Sequence, residues 1–307
     1  MALQVPPHLV AQALRISVKG QDHVVPGVAQ LLVNGEAGYS RRGRPRGTFL
    51  FLGPTGVGKT EVTKCMSELL YGHREMNGFD MGGYSDQLDA ERFKGDLAAR
   101  LDGLEGGGLL LFDEIEKAHK TIVDLFLAIT DEARFVYERK AYDLSDFYVV
   151  CTSNLGCREI IAMKESDISV IERFARQAAA EYFRPEGLVR FKNISVFNLL
   201  GYDVQLMICQ GMLNQFKHFL EEEHNILLET THQSVLFLIE VGVNPALGAR
   251  ELFNAIELRI PAAITRHDKR IGRDLNDKSP RSLLLDLAAS KSTLTVREIV
   301  DEQLKQA

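Results

Sequence analysis

The stretch that decides the fold is Phe49-Leu50-Phe51-Leu52-Gly53-Pro54-Thr55-Gly56-Val57-Gly58-Lys59-Thr60. It begins with four apolar residues, which predict a buried parallel strand because they leave no polar face. The next eight residues satisfy the pattern G-x-x-x-x-G-K-[ST], whose backbone N–H groups surround a phosphate. The stretch therefore predicts a strand, a phosphate-binding loop and the start of a helix in immediate succession.

The last residues of this loop have separate expected roles. Lys59 should reach the β- and γ-phosphates of a nucleoside triphosphate, and the Thr60 hydroxyl should bind Mg²⁺. Apolar residues continue at helical spacing after Thr60, and the N-terminus of such a helix favours an anion. The alternative is a fortuitous glycine turn, and the motifs that follow argue against it.

A second apolar run, Leu109-Leu110-Leu111-Phe112, ends in the two acids Asp113 and Glu114. In a phosphate-loop nucleoside triphosphatase, the first acid completes the Mg²⁺ shell. The second acid is then placed to act as a general base on water in line with the γ-phosphate. A solvated strand end is the other interpretation, but the phosphate loop upstream favours a catalytic pair.

A third apolar run, Phe147 to Cys151, is followed by Thr152-Ser153-Asn154. Asn154 at the end of this strand can hydrogen-bond the attacking water or the γ-phosphate. An isolated asparagine after a strand is usually a turn residue. Its place after two other strands that carry site residues favours a functional role.

The composition is that of a soluble globular protein with room for two domains. The chain has 307 residues, of which 45% are hydrophobic, and a formal net charge of −6. This charge argues against a broad nucleic-acid-binding face. Neither a signal peptide nor an apolar stretch long enough to span a bilayer is evident, so a cytoplasmic protein is expected. The four cysteines form no Cys-x-x-Cys pair and are expected to be reduced.

The pattern along the chain changes near residues 199–201. Before this point apolar strands alternate with helical segments. After it, helical periodicity dominates over 203–222, 232–241 and 247–268. Residues 282–287 are expected to form a short strand, and 294–306 a helix or a strand. We therefore expect one domain over residues 1–199 and a second over 200–307.

Two arginine-containing segments allow more than one interpretation. Residues 41–46 contain four arginines, which can grip phosphate or an acidic partner, although a solvated loop is favoured because the run is short. Arg184 and Arg190 precede a further apolar run. They can form structural ion pairs, or one of them can reach a neighbour's nucleotide, where a guanidinium stabilises transition-state charge.

Six motifs in this order resemble those of the Clp-type AAA+ ATPases, most of all the second ATPase ring of the large Clp disaggregases. The matching segments are Gly20-Gln21-Asp22, Gly53 to Glu61, Leu111 to His119, Thr152 to Gly156, Phe183 to Arg190, and Gly248-Ala249-Arg250. The resemblance covers about residues 10–290. It implies an α/β phosphate-loop domain with a parallel central sheet and helices on both faces, followed by a smaller, mostly helical lid domain.

The resemblance also implies roles for individual residues. Backbone groups at Val18 and Lys19 are expected to contact adenine. Asn154 is the first sensor, Arg190 is the arginine finger offered to a neighbouring subunit, and Arg250 is a second sensor that touches the phosphates. The nucleotide-binding positions implied are Gly53, Pro54, Thr55, Gly56, Val57, Gly58, Lys59, Thr60 and Glu61. Metal ligation falls on Thr60 and Asp113.

The resemblance further implies ATP and Mg²⁺ as ligands, a homo-oligomeric ring with six subunits, and a protein substrate or partner complex. One departure from the family's sequence pattern bears on what the chain does to its protein partner. Members of the family that thread polypeptides carry a Gly-Tyr-Val-Gly pore loop in a longer segment between the positions of Asp80 and Asp113, and that tetrapeptide does not occur here. Tyr84, Phe79 or Phe93 could take the place of the pore-loop tyrosine, but none of them lies in a Gly-Tyr-Val-Gly sequence.

Three outputs therefore compete. The chain can remodel or assemble a specific protein complex, it can thread and unfold polypeptides, or it can serve as a scaffold that uses nucleotide only to hold its ring. The shortened pore segment favours the first over the second. Glu114 and Asn154 argue against the third, because a scaffold has no need of a catalytic base.

Overall fold

The computed structural model describes residues 6–104, 106–243, 249–274 and 277–299, apart from the side chains of Leu127, Arg184 and Pro185. Contacts between Cα atoms divide the chain into two units, Met1–Leu199 and Leu200–Ala307. We call these the large unit and the small unit and describe each by itself.

The large unit begins with two helices and then alternates strands with helices. Its helices are α1 (Pro7–Ser17), α2 (Val25–Glu36), α3 (Lys59–Tyr71), α4 (Asp89–Asp102), α5 (Lys120–Glu132), α6 (Cys157–Ala162) and α7 (Ile168–Leu188). Its strands are β1 (Gly47–Leu52), β2 (Asn77–Asp80), β3 (Gly108–Asp113), β4 (Arg134–Tyr137), β5 (Lys140–Asp143), β6 (Phe147–Ser153) and β7 (Asn193–Val196). Within the described ranges, no helix is both long and apolar enough to cross a membrane.

The large unit is built on a parallel sheet of five of its described strands, in the order β2-β3-β6-β1-β7. All six residues of β1 are buried, as expected for a strand covered on both faces. Parallel strands need crossover connections, which the intervening helices supply. Because the strands run the same way, their carboxyl ends meet at one edge. The parallel α/β architecture expected from the sequence is confirmed.

Aromatic packing on one side of this sheet forms the centre of the core. The ring of Phe112 in β3 stacks on Phe79 with centroids 5.3 Å apart and meets Phe126 of α5 edge-on at 4.4 Å. Phe93 of α4 contacts all three rings. Burial of each such side chain stabilises the fold by about 1.5–3 kcal/mol, so the strand that ends in Asp113 is firmly fixed.

The small unit combines helices with a small sheet. Its elements are α8 (Tyr202–His224), β8 (Ile226–Thr230), α9 (His232–Gly242), α10 (Arg250–Ile271), β9 (Arg281–Leu287) and β10 (Leu294–Glu298). The described strands take the order β10-β9-β8. The predicted helices and the strand at 282–287 are present, and the open choice for 294–306 resolves to a strand over 294–298, with 300–307 outside the described residues. β8 was not predicted.

Candidate active site

Two glycines determine the shape of the phosphate loop. Gly53 has a φ of 138°, and a Cβ there would lie 2.5 Å from the carbonyl oxygen of Phe197. Gly58 has a φ of 110° and forms the N-cap of α3. Side chains disfavour both conformations, and the first position also lacks the space. Glycine therefore lets the chain turn from β1 into the loop and from the loop into the helix.

Lys59 is the buried cation of this loop, with 7% of its surface exposed. Its Nζ donates to the carbonyl oxygens of Gly53 and Pro54, the latter at 2.8 Å, and to Oδ1 of Asn154 at 3.0 Å. Burial lowers the pKa of Lys59 from 10.5 to about 8, although the nearby carboxylate of Glu116 opposes this shift. The ammonium thus sits among neutral oxygens at the carboxyl edge of the sheet.

Glu114 follows β3 directly and has a left-handed backbone, with a φ of 58°. Its Oε1 accepts a hydrogen bond from Nδ2 of Asn154 at 3.0 Å, and its Oε2 accepts one from Nζ of Lys117. The Lys117 ammonium lowers the pKa of Glu114. The carboxylate is therefore ionised at neutral pH, which is the state a general base requires.

Thr152 connects the two acids that follow β3. Its buried hydroxyl donates to Oδ1 of Asp113 and accepts from the backbone N–H of Glu114 at 3.1 Å. We did not predict a role for this residue. The sequence carries no signal for this role, because it depends on strand register: Phe112 pairs with Cys151, so the next residue of β6 lies beside Asp113.

Glu116 and Tyr182 form a further part of the site that we did not predict. Oε1 of Glu116 accepts the backbone N–H of Asn154 at 3.1 Å, which fixes the main chain at the end of β6. Its Oε2 is buried and makes no hydrogen bond within the described part of the chain. The Tyr182 hydroxyl donates to the Glu116 carbonyl at 3.1 Å. Glu116 therefore fixes the main chain of Asn154, and Tyr182 in turn contacts the main chain of Glu116.

The segment expected to contact adenine lies against the phosphate loop. Val18 is buried, and its Cγ1 lies 3.4 Å from the place that a Cβ of Gly58 would occupy. Gln21 is fully buried, and its Nε2 donates to the carbonyl of Val57 at 3.2 Å and to that of Asn198 at 2.9 Å. Gln21, which belongs to the matching segment Gly20-Gln21-Asp22 but was given no role of its own, therefore holds this segment beside the loop.

Three predicted site residues of the large unit make contacts away from the cluster of Lys59, Glu114 and Asn154, whereas the Thr55 hydroxyl lies 3.4 Å from Oδ1 of Asn154. Lys19 donates to the carbonyl of Arg15, and Glu61 forms an ion pair with Arg74 on the outer side of α3. Arg190 lies beside the amino end of β1, where its carbonyl accepts from Thr48 Oγ1 at 3.0 Å. Arg250 is the exposed first residue of α10 in the small unit, and Gly248 lies outside the described residues. Thr60 is the second residue of α3.

The donor set fits a magnesium–triphosphate group. The partners of Lys59 are main-chain carbonyls and a side-chain amide, which phosphate oxygens can replace with a gain in charge pairing. The helix N-terminus behind Gly58 offers N–H groups to an anion. Hydroxyl and carboxylate oxygens at Thr60 and Asp113 are the hard ligands that Mg²⁺ prefers.

Comparisons with known proteins agree with this geometry. Residues 44–194 match the model of the AAA domain (Cdc48 subfamily), and residues 200–267 match the C-terminal D2-small domain of ClpB protein. The chaperone protein ClpB 1 of Thermosynechococcus vestitus is 33% identical over 270 residues, which cover 83% of this chain and 31% of that protein. This chain is homologous to the second ATPase region of ClpB and Hsp104. The resemblance seen in the sequence is thereby confirmed.

Two further similar proteins come from Trypanosoma brucei brucei and S. cerevisiae. Heat shock protein 100 of Trypanosoma brucei brucei is 32% identical over 91% of this chain and 34% of its own length. The Hsp104–ADP complex of S. cerevisiae superposes with a TM-score of 0.79 and 25% identity, covering 96% of this chain and 52% of that one. The chain thus spans about a third of the length of these curated relatives.

Proposed function

We propose that this Clp-type chain binds ATP with Mg²⁺, hydrolyses it, and uses the cycle to remodel or assemble a protein partner. The observation that carries the proposal is the contact series from Lys59 through Asn154 to Glu114 at the carboxyl edge of the sheet. It joins a phosphate-binding cation, a polar sensor and an ionised carboxylate within hydrogen-bonding distance. Those are the groups that positioning and charge stabilisation in phosphoryl transfer require.

We assign the magnesium ion to the Thr60 hydroxyl and the Asp113 carboxylate, and the nucleotide to Val18, Lys19 and the loop from Gly53 to Glu61. When bound by these residues, Mg²⁺ would supply positive charge that stabilises the negative charge of the phosphate groups. Thr152 supports this assignment, because its hydroxyl fixes the orientation of the Asp113 carboxylate through Oδ1. The ion pair of Glu61 with Arg74 leaves that position as the weakest of the assigned contacts.

The protein side chains have distinct tasks in hydrolysis. Lys59 leaves the carbonyls of Gly53 and Pro54 for phosphate oxygens and so draws its Nζ away from Asn154. The amide of Asn154 then orients water towards the γ-phosphate. Glu114 accepts the proton of that water on one carboxylate oxygen.

Ring assembly completes this proposal. We assign to Arg190 the role of a finger that enters the site of a neighbouring subunit, and to Arg250 that of a sensor in the same chain, in a ring of six. Fingers supplied in trans are worth about 10³-fold or more in rate. The family supports this assignment, as does the position of Arg190 at the end of β1 remote from its own phosphate loop.

The candidate aromatic residues do not provide a free gripping side chain. The Tyr84 hydroxyl donates to Asp96 at 2.8 Å, and its ring packs edge-on against Phe93 with centroids 5.2 Å apart. Phe79 and Phe93 are buried. These contacts favour remodelling of a partner over threading that depends on any of the three rings.

The hydrolytic role is tested with Glu114→Gln and the matched exposed control Glu132→Gln. We expect Glu114→Gln to bind ATP with normal affinity and to release phosphate at least about 100-fold more slowly, because it lacks the base. Glu132→Gln should behave as the wild type in fluorescent-nucleotide titration and phosphate release. Normal turnover by purified Glu114→Gln would contradict the assignment.

The output is tested by using Glu114→Gln in ATP to trap a partner. We expect a folded partner complex to be retained in ATP and released in ADP. A crosslinked polypeptide in the central channel, lost on Tyr84→Ala, would show threading in its place. Wild-type rings that hold nucleotide without releasing phosphate, with or without partner, would show that the chain is a scaffold.

A further inference from the structure

Arg190 and the phosphate loop lie at opposite ends of β1. Thr48, the second residue of β1, donates its hydroxyl to the Arg190 carbonyl and accepts the backbone N–H of Lys192 at 2.9 Å. Gly53 begins the phosphate loop five residues later. At about 3.3 Å per residue, the strand separates the two points by roughly 16 Å. The Arg190 side chain is therefore placed to act outside its own site.

One carboxylate lies between Arg190 and a second guanidinium. Asp131, in the last turn of α5, places Oδ2 3.8 Å from Nη1 of Arg190, and its Oδ1 accepts a hydrogen bond from Nη2 of Arg44. Arg44 belongs to the arginine-rich loop before β1. The three side chains are 29%, 33% and 33% exposed for Arg190, Asp131 and Arg44 respectively. They thus form a half-buried triad that solvent screens only in part.

A third cation lies next to this triad. Nζ of Lys192 donates to the carbonyl of Pro45 at 2.9 Å, one residue from Arg44. Burial, and after it the charge of Arg44, lowers the pKa of Lys192. Without the charge of Asp131, Arg44 and Arg190 would face each other with no carboxylate between them and would move apart.

The helix itself gives no reason for an acid at this position. Asp131 lies near the C-terminus of α5, where the helix dipole disfavours a negative charge, and the last turn carries no basic residue. Asp131 therefore lowers the stability of the helix end while it binds two arginines. A contribution to the placement of those arginines accounts for the carboxylate better than helix stability does.

We propose that Asp131 is a positioning residue that holds the Arg190 guanidinium ready for the nucleotide of an adjoining copy, through a carboxylate shared with Arg44. This inference rests on the trans role proposed for Arg190. In this proposal Asp131 acts through Arg190 and takes no direct part in nucleotide binding or in the chemical step.

The test is a double-mutant cycle of Asp131→Asn with Arg190→Ala, with the adjacent Glu132→Gln as control. Asp131→Asn should slow phosphate release from assembled rings by about three- to tenfold, because an ion pair of this exposure orients its partner weakly. The same substitution should have no further effect in the Arg190→Ala chain. Asp131→Glu, which keeps the charge, should recover more of the rate than Asp131→Asn.

Assembly provides a readout that does not depend on turnover. In a Glu114→Gln background with ATP, sedimentation velocity gives the protomer concentration at which half the chains form rings. Asp131→Asn should raise this concentration in the presence of Arg190 and leave it unchanged in the Arg190→Ala chain. Nucleotide affinity of isolated protomers and the melting temperature should stay at wild-type values.

Two failures are distinguishable. Normal phosphate release by Arg190→Ala would overturn the trans role itself and the inference with it. Slow release by Arg190→Ala together with wild-type release and assembly by Asp131→Asn would overturn the inference alone. An equal loss on Asp131→Asn in both backgrounds would show that Asp131 supports the fold without acting through Arg190, and would also overturn the inference.

Discussion

The two units each contain a buried charge beside a sheet, but they neutralise it differently. In the large unit, Lys59 donates to main-chain carbonyls and to the amide of Asn154. In the small unit, Arg281 at the start of β9 and Asp268 of α10 pair with each other through two hydrogen bonds, one of 2.8 Å, and both side chains are less than 10% exposed.

This difference separates a site from a structural contact. Neutral partners leave the charge of Lys59 uncompensated by a direct ion pair, and burial accordingly lowers its pKa to about 8. A phosphate can take the place of those partners and improve on them. In the Asp268–Arg281 pair each ion neutralises the other. A ligand could bind either ion only by separating the pair, which is unfavourable in free energy. Burial of charge is therefore informative about function only together with the identity of the partner.

Lys59→Ala should have the largest effect and tests whether Lys59 is a ligand-binding charge. Lys64→Ala on the same helix is the control. We expect nucleotide affinity to fall by about 10³-fold, or about 4 kcal/mol, because the charge on the β- and γ-phosphates loses its partner. The melting temperature should not fall, since the variant removes a desolvated cation. Titration calorimetry and thermal unfolding measure the two effects. A destabilised chain with normal affinity would reverse our interpretation of Lys59.

Arg281→Met should produce the opposite pattern. Removal of one member of a buried pair leaves Asp268 uncompensated, and we expect the free energy of unfolding to fall by about 3 kcal/mol. Nucleotide affinity should remain at the wild-type value.

The double variant Arg281→Met with Asp268→Leu serves as the matched control. It should recover most of the stability in denaturant unfolding, because an apolar pair of similar volume replaces the ions. An equally unstable double variant would show that packing, and not charge, explains the single one.

Thr152→Val tests the contacts that orient the acids. The valine keeps the shape but leaves the N–H of Glu114 without its acceptor, which should cost about 2 kcal/mol in unfolding free energy. Phosphate release should slow as well, because Asp113 and Glu114 lose their common hydrogen-bonding partner.

Thr130→Val is the control for this substitution. Thr130 is also buried and its hydroxyl donates within α5 to Phe126, so this variant should lower stability without changing turnover at equal folded concentration. Equal turnover by Thr152→Val and Thr130→Val would show that Thr152 has no role in hydrolysis.

The smallest expected effect is a pH dependence confined to the small unit. The Arg281 guanidinium lowers the pKa of Asp268 below its ordinary value of 3.8. The unfolded chain therefore binds more protons in that range, so the stability from this pair is complete above about pH 5 and is lost as the pH falls through the folded pKa. Hydrogen exchange of residues 281–287 between pH 3 and 6 should show this loss. The loss of protection at low pH should be absent from the double variant Asp268→Leu with Arg281→Met.

The sequence predicted the strands and loop of the site because its local patterns are strong. Apolar runs at 49–52 and 109–112 that end in glycines or acids have few alternatives. Because a parallel sheet brings the carboxyl ends of its strands together, the sequence alone predicts that Lys59, Glu114 and Asn154 lie near one another. The trans role of Arg190 and the role of Arg250 stay predictions, because they depend on other copies or on the small unit.

What the sequence did not predict depends on register and on unusual turns. Thr152 and Glu116 acquire their roles only when β6 lies beside β3, and a single sequence does not give that pairing. The β4–β5 hairpin turns at Glu138 and Arg139, which have φ values of 45° and 73°. Asparagine and glycine usually signal such a turn, so the signal was absent. β8 follows α8 after a single residue, and its sequence Ile-Leu-Leu-Glu-Thr lacks the apolar and polar alternation that would distinguish a strand from a continuation of the helix.

The side-chain amide of Gln21 has a consequence of its own. Its Nε2 donates to the carbonyl of Val57 in the phosphate loop and to the carbonyl of Asn198, and its Oε1 accepts the backbone N–H of Asn198. Asn198 lies two residues before the small unit begins at Leu200. One planar side-chain amide therefore fixes the distance between the phosphate loop at Val57 and the last residues of the large unit, independently of the sheet.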